Sequence, residues 1–418
     1  TTPLASRVPP SSPHLPRFVC MPLSVALLRG LIGLAVFIGI AVLFSTNRRA
    51  INWRLVAAGI GLQIVFALLV LKTTPGEVLF DTLATLFRDL LAFTYDGSSF
   101  IFGALGNPEE GNNFAFQVLP TIIFFASLMG VLYHLRVVQP LVRGMGWVMQ
   151  KTLRISGAES LAAAANVFIG QTEAPLVVKP YVERMTKSEL MTLMSGGMAT
   201  IAGGVLAAYI SFLGGDTEAE QVLFAKHLLS ASIMSAPAAI VMAKILVPET
   251  EEPATRGMTE IEHEEESDNL IEAAANGAGE GLKLALNVGA MLLAFIALIG
   301  AINAVFGWFG TPTLFGTELY DLNSTVASAS DGRFEALSLQ SIFGFIFAPL
   351  AWAMGVETAD ILSFGTLLGE KVAVNEFVAF ASLQDLKSVM TQRSVVIGTY
   401  ALCGFANFSS IAIQIGGI

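Results

Sequence analysis

Two carboxylates, Glu173 and Glu376, stand inside otherwise apolar stretches, each surrounded by groups that hydrogen-bond well. The first lies in Asn166-Val-Phe-Ile-Gly170-Gln171-Thr172-Glu173-Ala174-Pro175, the second in Val374-Asn375-Glu376-Phe377. A carboxylate at bilayer depth costs about 2.5–3.5 kcal/mol even on lenient insertion scales, so it marks a function there. Both can accept hydrogen bonds from hydroxyls or amides of a bound solute. Gln171 adds a donor–acceptor amide and Thr172 a hydroxyl. Further on, Asn407 and Ser410 offer the same chemistry, and Phe405 an apolar face. The set suits a neutral ligand with a flat ring and several hydroxyls. Asn166 and Thr200 supply oxygens suited to a hard cation, and the break at Gly170–Pro175 frees backbone carbonyls near them.

These residues have to be held inside a membrane. The chain has 418 residues, 54% hydrophobic and 13% charged, with mean hydropathy +0.68. A soluble domain carries about 25% charge. The net charge of −10 comes largely from one run, Glu249 to Asp268, and reads as a solvated connector. Nothing points to nucleic acid. Cys20 and Cys403 offer no disulfide framework. The four histidines are scattered with no metal-ligand spacing, and no HExxH or GxSxG pattern occurs, which argues against an intramembrane hydrolase. Gly277-x-Gly279-x-Gly281 lacks a preceding strand and is expected to be a linker.

Apolar runs long enough to span occur at 22–45, 53–72, 117–136, 189–213, 221–247 and 284–308, with a seventh from about 393. Arg48, Arg49 and Arg54, then Arg136, Arg143, Lys151 and Arg154, put their loops in the cytoplasm. Stretches 76–95, 141–153 and 337–355 read as amphipathic interfacial helices. Two apolar stretches, 159–182 and 358–382, are interrupted and fit re-entrant helical hairpins.

The order repeats. Glu376 follows Glu173 by 203 positions, and Gly404-Phe-Ala-Asn407 echoes Gly197-Met-Ala-Thr200 207 positions on. An odd number of crossings between the copies inverts one against the other. Inverted repeats with broken helices meeting near the midplane are the plan of a secondary transporter. The fold class is therefore an all-α integral membrane protein, an inverted-repeat transporter with two re-entrant hairpins and amphipathic interfacial helices. Its expected divisions are a disordered leader or extension (1–20), N-terminal transmembrane helices (21–75) and an interfacial helix with scaffold helices (76–158). The first hairpin with its transport helices (159–248), an acidic cytoplasmic loop (249–281), a scaffold helix with an amphipathic helix (282–356) and the second hairpin with its following helix (357–418) complete them.

The Gly170–Pro175 motif, Val374–Phe377 and Cys403-Gly-Phe-Ala-Asn-Phe-Ser-Ser410 together resemble the concentrative nucleoside transporter family, from about Met21 to the end. The resemblance implies a homotrimer in the inner (cytoplasmic) membrane that takes up nucleosides of the uridine, cytidine and adenosine type with Na⁺. It also implies a mobile part, carrying both hairpins, that moves elevator-fashion against a scaffold. It assigns Gln171, Thr172 and Glu173 to the nucleobase with Val205 packed on it, and Glu376, Asn407 and Ser410 to the ribose with Phe405 nearby. Asn166, Ile169, Thr200 and Ile201 are similar to the family's sodium positions. The family often has Ser where Thr200 stands. The family also continues with a further spanning helix where this sequence reaches Ile418, and transport is expected to depend on that helix. The alternatives are a proton-coupled carrier of the same fold and a membrane protein that binds nucleosides without moving them.

Overall fold

The computed structural model describes residues 23–107, 110, 113–168, 170–171, 174–215, 217–256, 267–314, 317–318, 320–408, 410–411 and 414. The expected leader at 1–20 lies outside these residues. Three helices open the chain: α1 (Leu23–Leu43), α2 (Trp53–Lys72) and α3 (Thr74–Phe102). α1 and α2 expose Leu, Ile and Val over much of their length, as a lipid-facing helix does. α1 nevertheless carries Arg29, which is buried. Its Nη2 donates to the carbonyls of Trp352 (3.0 Å) and Val356 (2.9 Å), and its guanidinium lies over the Trp352 ring. A charge in the apolar layer is tolerated because it meets carbonyls that a helix C-terminus leaves open.

The first repeat runs α4 (Leu119–His134), α5 (Val138–Leu153), then the short helices α6 (Gly157–Ala165), α7 (Ala174–Val177) and α8 (Lys179–Val182). It continues through α9 (Lys187–Ala199) and α10 (Gly203–Gly214) into α11 (Glu218–Leu246). The second repeat runs α12 (Leu270–Gly310), a two-residue hairpin β1 (Thr313–Leu314) and β2 (Thr317–Glu318), α13 (Leu322–Ala329) and α14 (Leu339–Ala353). It ends with α15 (Ile361–Ala373), α16 (Glu376–Leu386) and α17 (Gln392–Leu402).

Six stretches among the described residues are long and apolar enough to cross a membrane. One of them, Lys187–Gly214, is not a continuous rod. It breaks at Thr200, which is extended (φ −113, ψ 169), and restarts at Gly203. α17 breaks likewise after Leu402, and Asn407 starts the next helical turn by accepting Ser410 N–H at 2.8 Å. These breaks were not apparent within the apolar runs because Thr, Ile and Ala fit either a helix or an extended link.

The linker reading of Gly277 and Gly281 is corrected. Both lie inside α12, and a Cβ at Gly277 would stand 2.6 Å from the Ala126 carbonyl oxygen of α4. A Cβ at Gly281 would stand 2.7 Å from the Ala126 side chain. Glycines four apart are bare so that two membrane helices can approach closely.

Each repeat ties the start of its broken segment to the start of the helix that follows. In the first, Ser156 caps α6 and Thr186 caps α9, and Ser156 Oγ donates to Glu189 of α9 at 2.6 Å. In the second, Asp360 Oδ2 accepts from both N–H (3.0 Å) and Oγ1 (2.7 Å) of Thr391, the cap of α17. The two interrupted segments are thereby held against α9 and α17, whose own breaks meet at the centre.

Candidate solute and cation site

The site is assembled where the helix breaks of the two repeats converge. Gly404 has φ +126 and lies directly behind α9: a Cβ there would come within 2.7 Å of Ala199 O. A Cβ at Gly197 would run into Gln414 Nε2 and stand 3.1 Å from the Gln171 Cβ. Polar side chains of both repeats therefore meet across bare backbone.

Glu376 is the first residue of α16, capped by Asn375, whose Oδ1 accepts Val378 N–H at 2.9 Å. A helix N-terminus favours a carboxylate there. Glu376 is 3% exposed. Asn407 Nδ2 donates to its Oε2 at 2.8 Å and Tyr209 OH to its Oε1 at 3.2 Å. From the first repeat, Gln171 Nε2 donates to Ser410 Oγ at 3.4 Å; from the second, Gln414 Nε2 donates to the Met194 carbonyl at 3.0 Å. Val205 is fully buried and Phe405 half-buried against the same apolar cluster. Thr172, Glu173 and Ile169 lie outside the described residues, as does the expectation that Glu173 faces Glu376.

Several polar atoms here have no hydrogen-bond partner among the described residues. They are Gln171 Oε1, Asn375 Nδ2, Gln414 Oε1 and both amide atoms of Asn166. Leaving a buried polar atom unpaired costs about 1–3 kcal/mol, so a cluster of them marks a place where something else completes the bonding.

Asn166 tests the fit to a cation. It is 1% exposed and follows the last residue of α6, beside Gly196, where a Cβ would stand 3.1 Å from its Nδ2. Thr200 Oγ1 donates to that same Gly196 carbonyl at 3.0 Å, which leaves the hydroxyl's lone pairs free. Ile201 is fully buried within the break of α9. An amide oxygen and a hydroxyl oxygen are both donors that a hard cation takes.

Sequence reasoning missed three residues. Tyr209 is one, reaching Glu376 from α10. Lys371 is another: buried five positions before Glu376, it donates Nζ to Ala401 O at 2.8 Å. Gln414 is the third. Tyr209 was hidden because one aromatic in an apolar helix reads as packing. Lys371 carried a usable signal, since an intramembrane lysine is itself unusual.

Three family profiles match the chain in sequence order. They are Na⁺ dependent nucleoside transporter N-terminus over residues 32–105, nucleoside recognition (gate) over 115–216 and Na⁺ dependent nucleoside transporter C-terminus over 227–418. The chain belongs to the Na⁺-dependent nucleoside transporter family. An uncharacterized transporter of Haemophilus influenzae is 42% identical over 406 residues, covering 94% of this chain and 89% of that protein. Human sodium/nucleoside cotransporter 1 is 39% identical over 402 residues, 92% of this chain; the chain spans only 57% of that relative's length. The solved structure of CNTnw in an inward-facing substrate-bound state superposes with TM-score 0.78 at 40% identity, covering 94% of this chain and 89% of CNTnw. A CNTnw variant in an outward-facing state gives 0.80 at 40% identity, with 94% and 90% covered. As a nucleoside transporter the protein is a multi-pass membrane protein and not an enzyme, and the coupling ion of its family is Na⁺.

Proposed function

We propose that this nucleoside transporter brings nucleosides into the cell with Na⁺, by an elevator movement of the part that carries both interrupted hairpins, as a homotrimer in a bacterial inner membrane. Uridine, cytidine and adenosine are the substrates we assign. In this reading Gln171, Thr172 and Glu173 contact the nucleobase and Val205 packs on it. Glu376, Asn407 and Ser410 take the ribose, with Phe405 beside it. Asn166, Ile169, Thr200 and Ile201 hold the ion, the isoleucines through their backbone carbonyls.

One observation carries it. The partnerless polar atoms gather where the two repeats meet, and they belong to the first-repeat residues proposed for ion and base and to neighbours of the proposed ribose residues. Ion and solute would then share the Asn166–Glu173 segment. A ligand shifts a conformational equilibrium only by its differential affinity for the two states, so sharing that segment is what couples one to the other.

The test is uptake of radiolabelled uridine into proteoliposomes. Accumulation above equilibrium under an inward Na⁺ gradient, lost when K⁺ replaces Na⁺, is expected. Uptake that follows a pH gradient and ignores Na⁺ would overturn the coupling. For the ribose assignment, Glu376→Gln is expected to weaken uridine much more than uracil; equal losses would refute it.

A further inference from the structure

Tyr209 is the largest fully buried side chain in the core, and it is a phenol rather than a hydrocarbon. Its ring stacks on Phe380 (centroids 4.2 Å apart, 26° between planes) and leans on Phe377 (4.9 Å), both of α16. That packing aims the hydroxyl at one atom, Glu376 Oε1, 3.2 Å away. Asn407 occupies the other oxygen at 2.8 Å. A carboxylate has about four lone-pair sites, two on each oxygen. Each oxygen thus takes one side-chain donor among the described residues and keeps acceptor capacity for a solute. Two acceptor oxygens held in one fixed plane match the two donors of a vicinal cis-diol.

We infer that Tyr209 is a specificity-determining positioning residue, its hydroxyl holding the Glu376 carboxylate in the one orientation that accepts both hydroxyls of a ribose. The inference rests on the ribose assignment of Glu376 and goes beyond it by naming what orients the acid and what that orientation selects. Without the phenol hydroxyl, Glu376 is still buried, still capped at the α16 N-terminus and still bonded to Asn407. It is then held through one oxygen only, and its two oxygens are no longer fixed in one plane. A 2′-deoxyribose, which offers one hydroxyl fewer, gains little from that arrangement and loses little without it.

Tyr209→Phe tests this, because phenylalanine keeps the stack on Phe380 and removes one oxygen. The variant is expected to melt within a few degrees of the parent in detergent. The apparent KM for uridine is expected to rise about tenfold with Vmax within about twofold, and the preference for uridine over 2′-deoxyuridine to shrink by a similar factor. The double variant Tyr209→Phe with Glu376→Gln is expected to bind uridine no worse than Glu376→Gln alone, since both act on one carboxylate. An unchanged uridine to 2′-deoxyuridine ratio in Tyr209→Phe overturns the inference, as do losses that multiply in the double variant. If Glu376→Gln alone leaves uridine untouched, the ribose assignment itself falls. If Glu376→Gln is costly and Tyr209→Phe silent, only the role of Tyr209 falls.

Discussion

Gly404 backs onto Ala199: a Cβ on residue 404 would stand 2.7 Å from the Ala199 carbonyl oxygen, and Gly404 itself has φ +126. The last turn of α9 and the break after α17 thus meet backbone to backbone, one from each repeat. Gly404→Ala combines a forbidden dihedral with a clash against main chain that cannot swing away. The dihedral alone costs about 1–3 kcal/mol. A lower melting temperature in detergent and reduced uridine uptake are expected. Parent-like melting would mean that the two breaks separate easily.

Asn166 permits a cleaner experiment, because its amide makes no hydrogen bond among the described residues. Asn166→Ala therefore removes no bond of that side chain to the described residues, and folding should survive. If Asn166 Oδ1 is a sodium ligand, the Na⁺ concentration for half-maximal uridine binding should rise at least about tenfold, the scale of losing one good oxygen contact. Titration calorimetry of uridine at graded Na⁺ measures it. An unaltered Na⁺ dependence would remove Asn166 from the ion site.

Asn407 has two separable duties, donating to Glu376 and capping its own helical turn. Asn407→Asp keeps the capping oxygen and deletes the donor, facing Glu376 with a second acid. A charge-assisted hydrogen bond contributes about 1.5–3 kcal/mol, so uridine affinity should fall about tenfold to a hundredfold. Asn407→Ala, which loses the cap as well, should add instability to the same affinity loss. If Asn407→Asp binds uridine like the parent, the contact with Glu376 is dispensable.

Lys244 governs stability away from the site. Its Nζ lies 2.5 Å from Glu159 Oε1 and 3.2 Å from Glu249 Oε2, and it donates to Ser188 Oγ at 2.9 Å. Glu159 is 1% exposed. Lys244→Met would leave that acid buried without its cation, a change that costs about 3–5 kcal/mol in comparable pairs. Adding Glu159→Gln should recover much of the loss, because the uncompensated charge is then gone. A double variant no more stable than Lys244→Met would show that the pair is not the cause.

Sequence alone determined that the chain is an all-α membrane protein, and it located six stretches of spanning length. Lipid cannot hydrogen-bond a backbone, so apolar runs of spanning length leave a record in composition that needs no partner to read, whereas the breaks at Thr200 and after Leu402 left none. Glu376, Asn407, Gln171 and Ser410 were legible for the same reason: a polar side chain in an apolar stretch is costly, and the cost is local. Packing was not legible. Gly277 and Gly281 looked like a linker because a glycine that opens a turn and one that lets a helix approach are written alike, and only Ala126 on α4 distinguishes them.

The tertiary structure alone decided who completes each site. Gln171 and Ser410 are 239 positions apart and Tyr209 and Glu376 are 167 apart, yet each pair shares a hydrogen bond. No periodicity encodes such a meeting. It follows from two inverted repeats packing their helix breaks together, with the geometry set by bare glycine backbone and stacked rings rather than by the spacing of the polar residues themselves.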